Sequence, residues 1–194
     1  MSTFQELVYS NRSFRGFDPS VSVSREDLLY LVDLARVTAS SVNKQPLKYY
    51  LAYDPDAVSM ILAETRWAGA LKDRRLPEPG KGPTAFIVIC HDTSVAPEAP
   101  TFLKDVGIVA QTMLLGASER GLGGCMIGNF HPEKLRETLS LDASMVPKLC
   151  VALGKPAETV VLTDVGPDGD TTYYRDESDV HHVPKRSLSD IVLD

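Results

Sequence analysis

"APTFLKDVGIVAQTMLLGASERGLGGCMIGNF", residues 99–130, is the stretch on which the fold turns. Its first two thirds read as one long helix, roughly 99–121. Val106, Val109, Ala110, Met113, Leu114 and Ala117 make an apolar stripe at helical spacing, and Ile108 and Leu115 widen it around the cylinder. A helix apolar over so much of its surface is expected to bury against more than one neighbour. Gly121 stands where such a helix stops, just past its C-cap. The glycines of "GLGGCMIG" then follow a helix and lead into a strand or loop. A dinucleotide-binding fingerprint has the reverse order, with glycines between a strand and the helix they open, so that reading fails. What remains is a glycine-rich backbone that something flat can approach closely, or an ordinary turn after a helix cap.

Working outward, "TAFIVICHD" (84–92) and "KLCVALGKP" (148–156) read as buried strands, the first from its continuous β-branched and apolar run. "LKYYLAYD" (47–54) and "TTYYRD" (171–176) read as further strands. Residues 2–10 suggest a short helix with Phe4, Leu7 and Val8 on one face. In "SREDLLYLVDLARVTA" (24–39), Ser24 is an N-cap and Asp27 stands at the capping-box position, ahead of Leu28, Leu31, Val32 and Ala35. Pro55 and Pro132 each stand at a helix start. "RRLPEPGKGP" (74–83) is loop, and the tail ends on a short helical signal. Helices and strands mix without a regular βαβ alternation, which favours α+β over a doubly wound sheet.

With 194 residues, 43% hydrophobic and 24% charged, the chain is most simply one globular domain, residues 1–194. Its net charge of -6 argues against broad nucleic-acid binding. No apolar run is long enough to span a bilayer, and "MSTFQELVYS" lacks the apolar core of a signal peptide. Cys90, Cys125 and Cys150 form no CxxC pair, so free thiols in a reducing cytoplasm are expected. HExxH, GxSxG and spaced Cys/His ligand sets are absent, and no metal site and no catalytic side-chain triad is expected. His181 and His182 are adjacent, so on a strand they face opposite ways.

Against that acidic background two basic clusters stand out. "NRSFRG" (11–16) sets Arg12 and Arg15 about Ser13, and "HHVPKRS" (181–187) offers Lys185 and Arg186 after Pro184. Each alone reads as a surface turn or as a set of donors for an anion; together they double the supply of phosphate donors.

Five segments in order resemble the FMN-dependent nitroreductase family. "NRSFRGF" resembles its N-terminal phosphate motif, and "ASSVNKQPLKYY" (39–50) its Pro-Ser-x-x-Asn-x-Gln-Pro segment. "DVGIVAQTMLLGASERGLGGCMIGNF" resembles its central helix and flavin-contacting strand, "VALGKPAE" its late strand, and "HHVPKRSL" its C-terminal basic motif. The resemblance implies an α/β/α sandwich with a mostly antiparallel central sheet, in a domain-swapped homodimer with two FMN sites at the interface. By it, Arg12, Ser13 and Arg15 would hold the phosphate and ribityl chain with Lys185 and Arg186. Ser40, Ser41, Asn43 and Gln45 would approach from the partner subunit, and backbone at Ile127, Gly128 and Asn129 would face the isoalloxazine edge. Trp67 and Lys72, in "WAGALKD", would line the substrate pocket. The implied activity is hydride transfer from NADH or NADPH to the flavin, and on to a nitroaromatic, quinone or similar acceptor, by a ping-pong mechanism. Two alternatives stay open: the same fold with other flavin chemistry (reductive dehalogenation or flavin fragmentation), or a non-catalytic FMN-binding or storage protein. Asn11, Ala39 and the Gly128–Asn129 pair depart from the family pattern.

Overall fold

The computed structural model describes residues 3–71 and 74–193. In chain order its elements are α1 (Phe4–Ser10), β1 (Phe17–Asp18), α2 (Arg25–Arg36), β2 (Leu47–Ala52), α3 (Pro55–Glu64), β3 (Ala85–Asp92) and α4 (Pro100–Glu119). These are followed by β4 (Gly123–Ile127), α5 (Pro132–Thr138), β5 (Met145–Pro156), β6 (Val160–Asp164), β7 (Tyr174–Arg175) and β8 (His181–Lys185). Short 3₁₀ turns cover Ser41–Asn43 and Leu188–Asp190.

Helix ends follow local chemistry. Ser24 and Asp27 form a reciprocal capping box on α2, an arrangement in which the cap is worth about 1 kcal/mol. Asp54 caps α3 ahead of Pro55, which ends β2 at Ala52, two residues before the sequence pattern suggests. Past α4, Gly121 takes φ of +69°, its N–H donates to Ser118 O and the Leu122 N–H to Ala117 O. This paired closure needs a left-handed residue at Gly121.

The larger sheet has the order β1-β5-β3-β2, with β4 also paired to β5, and every pairing in it is antiparallel. β3 is buried along its whole length because helices cover both faces. Ala85, Ile87 and Ile89 join Val151 and Leu153 under Leu28 and Leu31 of α2 and Val109, Ala110 and Met113 of α4. Phe86, Val88 and Cys90 point the other way, onto Val58 and Ile61 of α3 and Leu135 of α5. The continuous apolar run therefore serves two cores at once, with period-2 alternation between them. The chain is α+β with a mostly antiparallel sheet.

Several expectations are corrected. α1 forms as the pattern suggests but is only partly covered: Leu7 is half-buried, and Phe4 is 72% exposed. α4 buries one broad face against α2, β4 and β5, but Leu103 and Ile108 remain exposed at 59% and 41%. The "TTYYRD" strand shrinks to Tyr174–Arg175. A second, three-stranded sheet, β6-β8-β7, went unread in the sequence; its β6–β8 pair is parallel. Pro184 fits within β8 because β7 pairs only with His181 and His182, leaving the proline's bare edge unclaimed on that side.

Candidate functional site

The two basic clusters converge in part. Arg12, Lys185 and Arg186 line one cleft of about 570 Å³, walled by Tyr9, Leu162 and Leu188. β8 brings Lys185 there by pairing it alongside Asp164, the one acidic residue among the described lining. Arg12 Nη2 donates to Val8 O at 2.7 Å, while its Nε is buried and has no partner among the described residues. Burial lowers the pKa of this guanidinium. A partly desolvated cation with an unused donor beside two further cations is the electrostatic signature of an anion site.

Arg15 goes elsewhere. Its guanidinium lies 5.0 Å over the Tyr173 ring and donates to Ser13 O at 3.3 Å. Its backbone N–H and that of Gly16 both donate to Glu158 Oε1. The second oxygen of Glu158 pairs with Arg175, and both of these side chains are about 5% exposed or less. Glu158 thus clamps the N-terminal motif to the small sheet that carries Lys185. Beside it lies His181, fully buried with neither ring nitrogen paired among the described residues. Burial, then the Arg15 and Arg175 guanidiniums, push its pKa down to about 4, so the ring is neutral. His182 faces the other way and meets Asp176 at 2.8 Å.

The glycines of "GLGGC" admit protein rather than ligand. A Cβ at Gly123 would strike the Phe14 ring, and one at Gly124 would strike Ala152 O and Leu114. Ser13 bridges Gly124, and the Phe14 N–H donates to Gly124 O at 3.0 Å, so the flat group lying on Gly123 is the motif's own phenylalanine. Gly128, by contrast, has only Leu149 within 4.0 Å. Ile127 is buried, while Gly128 and Asn129 emerge from β4. Cys125 is buried, and burial raises its thiol pKa, as fits a packing residue.

Ser40, Ser41, Asn43 and Gln45 form a separate turn, which shares no lining residue with the Arg12 cleft. Three of its residues hold positive φ: Val42 at 47°, Asn43 at 53° and Gln45 at 51°. Such strain, worst for β-branched Val42, persists only where surroundings over-determine it. Asp105 of α4 does this. Its carboxylate, 2% exposed, accepts from Ser40 Oγ (2.8 Å), Ser41 N (2.9 Å) and Ser41 Oγ (2.8 Å). Gln45 N donates in turn to Ser40 Oγ, and Gln45 Nε2 to Asn43 Oδ1, both at 3.0 Å. Burial works to raise the Asp105 pKa, and the hydrogen bonds from Ser40 and Ser41 outweigh it, leaving the carboxyl below its usual range. Asp105→Ala is therefore expected to cost about 1–3 kcal/mol at pH 7, from donors left unpaired. A depressed carboxylate pKa stabilises above the unfolded value and loses that contribution as pH falls through the folded one. Urea unfolding of both proteins should show the gap closing below about pH 4.

Beyond the end of β4, the Arg66 N–H donates to Asn129 O at 2.9 Å. This opens a cavity of about 610 Å³ lined by Arg66, Trp67, Arg74, Arg75 and Leu76. Trp67 Nε1 donates to Thr65 Oγ1 at 2.9 Å, and its ring meets the edge of Phe86. Lys72 lies outside the described residues. Sequence reasoning missed Asp105, Glu158 and Arg175. Only Asp105 carried a local signal, a carboxylate one residue before the buried stripe of α4.

The sequence matches the family model described as "Nitroreductase family" over residues 8–155. The NAD(P)H nitroreductase candidate YdgI of Bacillus subtilis (strain 168) is 25% identical over 186 residues, covering 80% of this chain and 89% of that protein. A nitroreductase family protein from Clostridium difficile 630 superposes with a TM-score of 0.69 at 21% identity, covering 99% of this chain and 98% of its own. A chain from Exiguobacterium sibiricum 255-15, crystallised in complex with FMN, gives 0.64 at 18% identity, with 81% and 90% covered.

Proposed function

Because the chain belongs to the nitroreductase family, we propose that it is an FMN-dependent NAD(P)H oxidoreductase. FMN, when bound, supplies the hydride chemistry between a nicotinamide and a nitroaromatic, quinone or similar acceptor. The carrying observation is the Arg12 cleft: a buried, unused Nε with Lys185 and Arg186 beside it in an acidic chain. Those donors suit a phosphate dianion, which can take several charge-assisted hydrogen bonds at once. Ser13 would border that cofactor, and the backbone at Ile127, Gly128 and Asn129 would meet the flavin edge, whereas Arg15, turned to Tyr173, is no longer among the phosphate donors. Donor and acceptor use one pocket in turn, walled by Trp67, so the kinetics are ping-pong and no side chain is required as acid or base.

The working unit of this reading is a homodimer. Leu103 and Ile108 on α4, Phe4 and Tyr9 on α1, and Leu188 and Leu193 near the end are all exposed, which suits cover by a second copy. The Ser40–Gln45 turn, remote from the Arg12 cleft in lining, then serves the partner's site. Cys90, Cys125 and Cys150 are free and buried, in keeping with a reducing cytoplasm. No helix among the described residues is long and apolar enough to cross a membrane.

The visible spectrum of the purified protein tests the reading. A yellow dimer is expected, binding FMN at least about a hundredfold tighter than riboflavin through the phosphate donors. NADH or NADPH under nitrogen should bleach it, and a quinone or nitroarene should restore the colour. Equal affinity for riboflavin and FMN sinks the phosphate assignment, and a bound flavin that neither nicotinamide reduces sinks the enzyme.

A further inference from the structure

The cavity beside Asn129 carries a charge that hydride transfer does not require. Arg66, Arg74 and Arg75 all border it, and no acidic residue is among its described lining, in a chain of net charge -6. Arg74 is neutralised by Asp179. Arg66 is braced through Nη1 on the carbonyls of Ala63 and Thr65, both at 3.2 Å, which leaves the rest of its fork directed elsewhere. Arg75 is exposed and pairs with no carboxylate among the described residues. Apart from Thr65, the remaining walls are apolar or aromatic, with Leu62, Trp67 and Leu76 prominent. The Arg66–Asn129 hydrogen bond ties this basic, flat-sided space to the end of β4.

From this geometry we infer that the cavity is an anion subsite, and that Arg66 and Arg75 select substrates bearing a carboxylate or phosphate next to a planar apolar body. The inference rests on the oxidoreductase reading above and adds the chemical class of the molecule that enters. Guanidinium forks match both anions in two-pronged geometry. An apolar wall with a few convergent charges is also the usual construction of a small-molecule pocket. The anion has two sources, the carboxylate of an aromatic acceptor or the 2′-phosphate of NADPH, and the two can be separated.

Trp67 is the only tryptophan in the chain and lines the cavity, so its fluorescence reports occupancy without turnover. Purified protein should be titrated with 4-nitrobenzoate against 4-nitrobenzamide, and with NADP⁺ against NAD⁺, using free tryptophan to correct for absorbance. The charged member of at least one pair should quench at about tenfold lower concentration, as one charge-assisted contact allows. Preference in the first pair identifies the acceptor as the source, and preference in the second identifies the nicotinamide. In Arg66→Gln/Arg75→Gln the preference should shrink to within about threefold, while the thermal midpoint stays near that of the parent because both arginines are exposed. No discrimination in either pair, or discrimination that survives the double substitution, overturns the inference. The flavin spectrum keeps the two readings apart. A yellow, reducible protein that ignores charge removes only the anion subsite, whereas a protein that discriminates but binds no flavin removes the oxidoreductase reading and leaves the subsite.

Discussion

Glu158→Ala is expected to lower folding stability by about 3 kcal/mol, the low end of the range for breaking a buried ion pair by removing one partner. Glu158 and Arg175 are nearly inaccessible, so the guanidinium would stay desolvated after its carboxylate had gone. The backbone N–H groups of Arg15 and Gly16 would lose their acceptor at the same time. Arg175 would keep Asp179, 3.2 Å from its Nη1, but that carboxylate is half-exposed and cannot replace a buried one. Glu158→Gln retains an acceptor for the backbone and should fall between the parent and the alanine variant. Urea midpoints at constant m-value measure both. A loss below about 1 kcal/mol for alanine would mean that the clamp between the N-terminal motif and the small sheet carries no weight.

The second large effect belongs to the cofactor. On the flavin reading, Lys185→Ala/Arg186→Ala should weaken FMN binding by at least about a hundredfold, since each charged hydrogen bond contributes roughly 1.5–3 kcal/mol. Arg12→Ala should weaken it by about tenfold or more, because it removes the donor already desolvated in the cleft. Riboflavin affinity should hardly move, as it lacks the phosphate that these residues meet. Lys185 and Arg186 are exposed, so unfolding of the apo protein should change by no more than about 0.5 kcal/mol. Flavin titrations of parent and variants decide it. An unchanged dissociation constant for FMN would return both clusters to ordinary surface turns.

Much of the fold is legible because its signals are short-range. The Ser24–Asp27 box, Pro55 after Asp54, and Gly121 past α4 all act over three to five residues, and each stands where the pattern suggests. The unbroken apolar run of β3 announced burial on both faces, although not which helices would supply it. β6 carried its own signal, the β-branched and apolar run at 159–163, and went unread all the same. β8, which pairs Val160 with its His181, is disguised by Pro184 and the adjacent histidines.

By itself the sequence determined the α+β class, the helix ends, the buried central strand and the presence of two basic clusters in an acidic chain, since composition, capping and periodicity are properties of neighbouring residues. Which cations act together was decided only by the tertiary structure. It gathers Arg12 with Lys185 and Arg186, and turns Arg15 away to Tyr173 and Glu158. It also chose Asp105 to hold the strained Ser40–Gln45 turn, and Phe14 to fill the space that Gly123 leaves open. The physical reason is the reach of the interaction. A buried carboxylate is stabilised by whichever donors the fold delivers to it, and Glu158 receives Arg15 from 143 residues away.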